Sequence, residues 1–69
     1  MTDSVYKVIE LVGTSPQSWE HAAAAAVERA GQSLRDLRVA EVTAQDVVIE
    51  NGKVKAFRTK LSLSFKFEN

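Results

Sequence analysis

The stretch Val47-Val48-Ile49-Glu50-Asn51-Gly52-Lys53-Val54-Lys55-Ala56-Phe57 decides the fold. Two runs rich in β-branched residues meet at Asn51-Gly52, the strongest short-range hairpin signal, because a type I′ turn needs positive φ at both central positions. Extended outward, the apolar and β-branched pattern predicts one strand over Arg38 to Glu50 and a second over Lys53 to Phe67. Each is more than twice the ~5–6 residues usual for a strand. A two-residue loop sets the register, so Glu50 faces Lys53 and paired residue numbers sum to 103 unless a bulge intervenes. That register predicts a helix-facing row of Ala40, Val42 and Ala44 beside Leu63, Leu61 and Thr59, with Phe57 and Phe65 on the same face. The opposite face then carries Val39 with Ser64, Glu41 with Ser62, Thr43 with Lys60 and Gln45 with Arg58.

Upstream, Val5 to Val12 reads as a first strand: Val5, Ile9 and Leu11 lie on one side, Tyr6, Val8 and Val12 on the other. Both sides are largely apolar, which predicts cover on both. Gly13-Thr14-Ser15-Pro16 breaks the pattern, and a helix follows. Ser15 before Pro16, or alternatively Ser18, supplies the N-cap. Trp19, Ala22, Ala23, Ala26, Val27 and Ala30 make one apolar stripe, mostly alanine, and Gly31 is expected to close the helix as a left-handed cap. The order is β-α-β-β, an α+β domain spanning residues 1–69. A right-handed crossover followed by a hairpin puts the last strand between the other two.

Size sets a second constraint. A chain of 69 residues buries only about 60% of the surface its unfolded form exposes. It has no cysteine for a disulfide or a thiolate metal site, and a single histidine cannot build a His-based zinc site. One alanine-faced helix cannot cover two strands this long, so self-association is expected from both arguments. Nine basic residues balance nine acidic ones, which speaks against nucleic acid as partner. No apolar run reaches the ~20 residues of a membrane span, and Met1-Thr2-Asp3-Ser4 lacks the pattern of a secretion signal; a cytoplasmic location is expected.

Catalytic chemistry is not visible. Ser18, His21 and Asp36 could be written as a triad, but no nucleophile elbow supports it, and the chain is read as a binding module and not an enzyme. His21 is read as a flank residue of the helix and Trp19 as core or interface. The acidic residues Asp36, Glu41, Asp46 and Glu50 lack the spacing of a calcium-binding loop, although carboxylates from several copies could converge on a cation at a symmetry axis. The polar face bearing Glu41, Thr43, Gln45, Arg58, Lys60 and Ser62 is either solvated or the wall of a cavity or subunit contact.

Three stretches, Val5-Tyr6-Lys7-Val8-Ile9-Glu10-Leu11-Val12-Gly13-Thr14-Ser15, Leu34-Arg35-Asp36-Leu37-Arg38-Val39-Ala40-Glu41-Val42 and Leu61-Ser62-Leu63-Ser64-Phe65-Lys66-Phe67-Glu68, resemble dodecins. The resemblance implies a three-stranded antiparallel sheet wrapped around one helix and a hollow homododecamer with contacts around threefold axes. It implies a flavin, riboflavin or FMN, as the stored ligand. The family's stacking tryptophan corresponds to Val39 here, its ring-edge glutamine to Arg58, and two ligand-holding arginines to Asp46 and Lys66. The flavin site therefore does not carry over residue by residue. The expected pocket positions are Val39, Glu41, Gln45, Arg58 and Lys66, with Arg58 suited to an anionic group. The alternatives are a calcium-type divalent cation held by the assembly, with ligands the sequence does not single out, and a structural shell without ligand.

Overall fold

The computed structural model describes residues 3–66. Strand β1 covers Tyr6–Ser15, helix α1 Trp19–Gly31, strand β2 Leu37–Glu50 and strand β3 Lys53–Lys66. The sheet is antiparallel in the order β1-β3-β2, with the last strand central as expected. The expected end of that strand at Phe67 lies outside the described residues. Asn51 (φ 55°) and Gly52 (φ 74°) form the predicted hairpin turn.

Local chemistry places the helix. Ser18 is the N-cap: its extended backbone (φ −170°) presents Oγ to the His21 N–H at 3.0 Å. Ser15, the other candidate, stays at the end of β1, where its hydroxyl accepts from the Gln17 N–H at 3.0 Å. Gly31 does not form a left-handed cap. It is the last helical residue, Gln32 follows in the right-handed region, and Ser33 and Leu34 N–H groups bond back to the Ala30 carbonyl. Those bonds satisfy the terminal carbonyl without a positive φ.

The core is thin. Its buried apolar residues are Ala22, Ala26, Ala30, Leu61 and Leu63. Thr59 is fully buried among them and donates its hydroxyl to the Trp19 carbonyl at 2.9 Å. Helix α1 lies over β1 and β3 and hardly touches β2. At one point the approach is as close as backbone allows: a Cβ on Gly13 would collide with the carbonyl oxygen of Ala22 and crowd the Ala26 methyl. At the other end of the helix, Trp19 meets Phe57 edge to face, with centroids 5.0 Å apart, and its indole N–H donates to the Asp46 carbonyl at 3.1 Å.

The hairpin register departs from the simple sum in the middle and once more at the very end, where a residue gained at Arg38 sets Leu37 opposite Phe65. Near the turn, Glu50 pairs with Lys53, and at the far end Val42, Glu41, Ala40 and Val39 pair with Leu61, Ser62, Leu63 and Ser64, all as expected. Between these, the register shifts at Val48/Ile49 and is restored at Val42/Ala44, so Gln45 pairs with Thr59 and Asp46 with Arg58. A residue gained on β3 at Lys55 is balanced by one gained on β2 at Thr43. Because side chains alternate with period 2, that slip exchanges faces. Ala44 leaves the expected core row for the outer face beside Lys60, and Gln45 turns to the helix side.

The two interior glycines should respond oppositely to alanine. Gly13→Ala forces the helix off β1 and should cost about 1–3 kcal/mol or more. Gly31→Ala meets only the Leu37 Cδ1 at 3.7 Å and should stabilise by about 0.5–1 kcal/mol. Chemical denaturation at one fixed protein concentration measures both.

Candidate functional site

The sheet face turned away from α1 is built by alternation from all three strands. Its rows read Val8, Ser64, Val39; then Glu10, Ser62, Glu41; then Val12, Lys60, Ala44; then Thr14, Arg58, Asp46. Tyr6 and Lys66 close it at one end. Aliphatic side chains are unusually open here, with Val8 58%, Val12 53% and Val39 61% exposed. The expected two-sided cover of β1 is thus present on one side only within the chain. A depression of about 460 Å³, to which Glu10, Val12, Thr43 and Lys60 contribute, crosses the middle rows.

Of the expected site residues, Val39, Glu41, Arg58 and Lys66 stand on this face, whereas Gln45 pairs with Thr59 and faces the helix side. They do not converge within one chain. Arg58 and Lys66 are eight residues apart on one strand, roughly 26 Å at the rise of an extended chain. They mark a stripe along the sheet, not a closed pocket.

Register reasoning missed the strongest polar contact. Arg58 grips Asp46 through a fork, Nε to Oδ1 and Nη2 to Oδ2, both at 2.6 Å. The two bulges create this pair, and the unbulged register assigned Arg58 to Gln45 instead. The Arg58 hydrogen bonds hold the Asp46 carboxyl below its ordinary range; partial desolvation opposes this, and the charges of Arg58 and Lys60 assist it. Both side chains remain about 40% exposed, so the pair contributes geometry more than stability. Its chemical consequence is that each partner's hydrogen-bonding edge is occupied by the other.

Glu10 and Glu41 are the second feature not singled out as a pair. They flank Ser62 across the sheet with Cα atoms roughly 10 Å apart, two strand spacings. Among the described residues no single chain gathers three or more groups able to hold a metal. Tyr6 is the one aromatic residue on the outer face among those described, while Trp19 is committed to Phe57 and the Asp46 carbonyl.

The triad does not assemble. Ser18 Oγ and His21 Nδ1 lie 2.8 Å apart as part of the helix cap. Asp36 sits beside Lys66, whose N–H bonds to its carbonyl, whereas Trp19, next to Ser18, packs on Phe57. Those two places on β3 are roughly 30 Å apart. No helix among the described residues is long and apolar enough to cross a membrane.

Comparison with known proteins adds a family. The dodecin sequence profile matches residues 5–68. The calcium dodecin of Mycobacterium tuberculosis is 54% identical over 63 residues, covering 91% of this chain and 89% of that protein. Its crystal structure, described as having a novel calcium-binding site, superposes with a TM-score of 0.83 over 94% of this chain and 93% of that one. The dodecin of Thermus thermophilus is 41% identical over 93% of each chain. The dodecin of Streptomyces coelicolor superposes with a TM-score of 0.94 at 42% identity, covering 100% of this chain and 99% of that one.

The Asp46–Arg58 fork makes a prediction with a definite sign. A carboxyl whose folded pKa is lowered adds stability that is complete above its unfolded value and is lost as pH falls through the folded value. Asp46→Asn should therefore remove a small component of the acid-side loss while leaving the midpoint above about pH 6 only slightly lower. Denaturation midpoints of the two proteins across the acid range check this; parallel curves would contradict it.

Proposed function

Since this chain belongs to the dodecin family, we propose that it is a homododecameric binding and storage protein whose ligand is a calcium-type divalent cation in place of a flavin. The observation that carries this reading is the Glu10–Ser62–Glu41 row. Calcium takes 6–8 oxygen ligands at 2.3–2.6 Å, more than one chain can offer. Two carboxylates and a hydroxyl on an uncovered face supply a half-site, and a second copy laid on that face supplies the rest. The relative with 54% identity is a calcium dodecin, which supports the same chemistry.

The outer face is poorly made for an isoalloxazine. Val39 stands where the family's stacking ring is expected and offers no π surface, and a stacked aromatic pair contributes about 0.5–1.5 kcal/mol beyond its area. Arg58 and Asp46 stand at two further ligand positions of the family and are joined to each other. The arrangement offers catalysis no visible footing, because among the described residues the face shows no nucleophile hydrogen-bonded to a base.

Two titrations decide between ligands. Calcium should raise the melting temperature of the assembled protein, with a chelator reversing the gain; saturation at 100 times Kd adds about 2.7 kcal/mol per site. Glu41→Gln and Glu10→Gln should each abolish that shift. Riboflavin fluorescence should stay unquenched by the wild type and become quenched by Val39→Trp. A melting temperature indifferent to calcium, together with saturable quenching by the wild type, would overturn the cation reading in favour of the flavin one.

A further inference from the structure

Arg58 and Lys60 carry positive charge in the middle of the outer face. They are alternate residues on β3, with Cα atoms roughly 7 Å apart. Thr14 stands directly across from Arg58 on β1, and Thr14 and Lys60 are both exposed. A planar guanidinium edge with an ammonium and a hydroxyl beside it is a donor set suited to a phosphate group. Glu10 and Glu41 lie two rows further along, beside Ser62, and leave this end of the face to the cations. Asp46 is the carboxylate in the Arg58 row. Its two oxygens take the two guanidinium positions, at 2.6 Å each, that phosphate oxygens would take.

We propose that Thr14, Arg58 and Lys60 form a phosphate-binding site that Asp46 occupies in cis, so that Asp46 sets the charge selectivity of the outer face. The carboxylate is held in place from behind. On the inner side of the sheet the Trp19 indole N–H donates to the Asp46 carbonyl at 3.1 Å, which ties the backbone that aims the side chain to the start of the helix. The charge of Lys60 acts on the Asp46 carboxylate together with that of Arg58, so two of the three site residues already attend one anion, the chain's own. An anion built into the chain competes at an effective concentration in the millimolar range or above. Free phosphate below that concentration loses the competition. Burial is not the barrier, because the Arg58 and Asp46 side chains are 40% and 41% exposed. The sequence marks Arg58 as a residue for an anionic group, and the fork explains why that site is closed. This end of the face is separate from the Glu10–Ser62–Glu41 row, so the two sites stand or fall independently.

Inorganic phosphate is the probe, titrated calorimetrically into the full-length protein at an ionic strength fixed with chloride. Asp46→Ala, which frees the Arg58 edge, should bind phosphate about tenfold or more tighter than the wild type. Asp46→Asn keeps the shape of the side chain and loses its charge, and it should fall between the two. It also carries the test if the alanine variant does not fold, with Trp19 emission reporting the fold of each protein. Adding Arg58→Gln to either Asp46 variant should return the affinity to the wild-type level or below. Equal phosphate affinity in the wild type and the folded Asp46 variants would overturn the closed site. A gain that survives Arg58→Gln would overturn it too.

Discussion

The close contact of α1 with β1 at Gly13 governs much of this molecule. Backbone touches backbone there because glycine faces the Ala22 carbonyl, and the stripe of Ala22, Ala26 and Ala30 continues the same tight seam. A helix held this close excludes water with short side chains, but short side chains bury little area. Among the described residues only Leu61 and Leu63 add large aliphatic volume to the buried set. The seam thus yields a defined fold with a small core, and among the described residues eight large apolar residues on the strands, with Val5 just before β1, remain exposed. The choice of alanine leaves apolar surface that the proposed self-association would cover.

The second determinant is the pair of bulges in the long hairpin. Without them Arg58 would face Gln45, and Asp46 would point to the helix side. With them, Asp46 and Arg58 meet in a two-bond fork on the outer face and Gln45 turns inward. One inserted residue on each strand changes the chemistry of the face without altering the fold. The acidic Glu10–Ser62–Glu41 row lies beyond the bulged segment, where the simple register still holds.

Much of the architecture was legible in the sequence because it rests on local chemistry. Asn51-Gly52 forced the turn, Ser18 could cap, the Trp19-to-Ala30 spacing made the stripe, and a central last strand followed from handedness. What was not legible depends on choices made between segments. Nothing in Thr43 or Lys55 marks them as the residues that slip, since neither is a glycine, so the Asp46–Arg58 pair could not be foreseen. Gly31 had the composition of a left-handed cap, but carbonyl Ala30 found its partners in Ser33 and Leu34 instead. On the outer face, Val39 and Glu41 keep the expected pairing with Ser64 and Ser62 because they sit in the unshifted half. Glu10 was overlooked because its meaning appears only when β1 is laid beside β3.

We propose that this fold persists through association. Its most direct test is the thermal unfolding midpoint followed across a roughly hundredfold range of protein concentration, with native mass measured at each point. A multimer is expected throughout the folded range, with a midpoint that rises with concentration, as binding of copies to the folded state requires. A monomer with the same midpoint at every concentration would show that the alanine seam and its small core suffice without association.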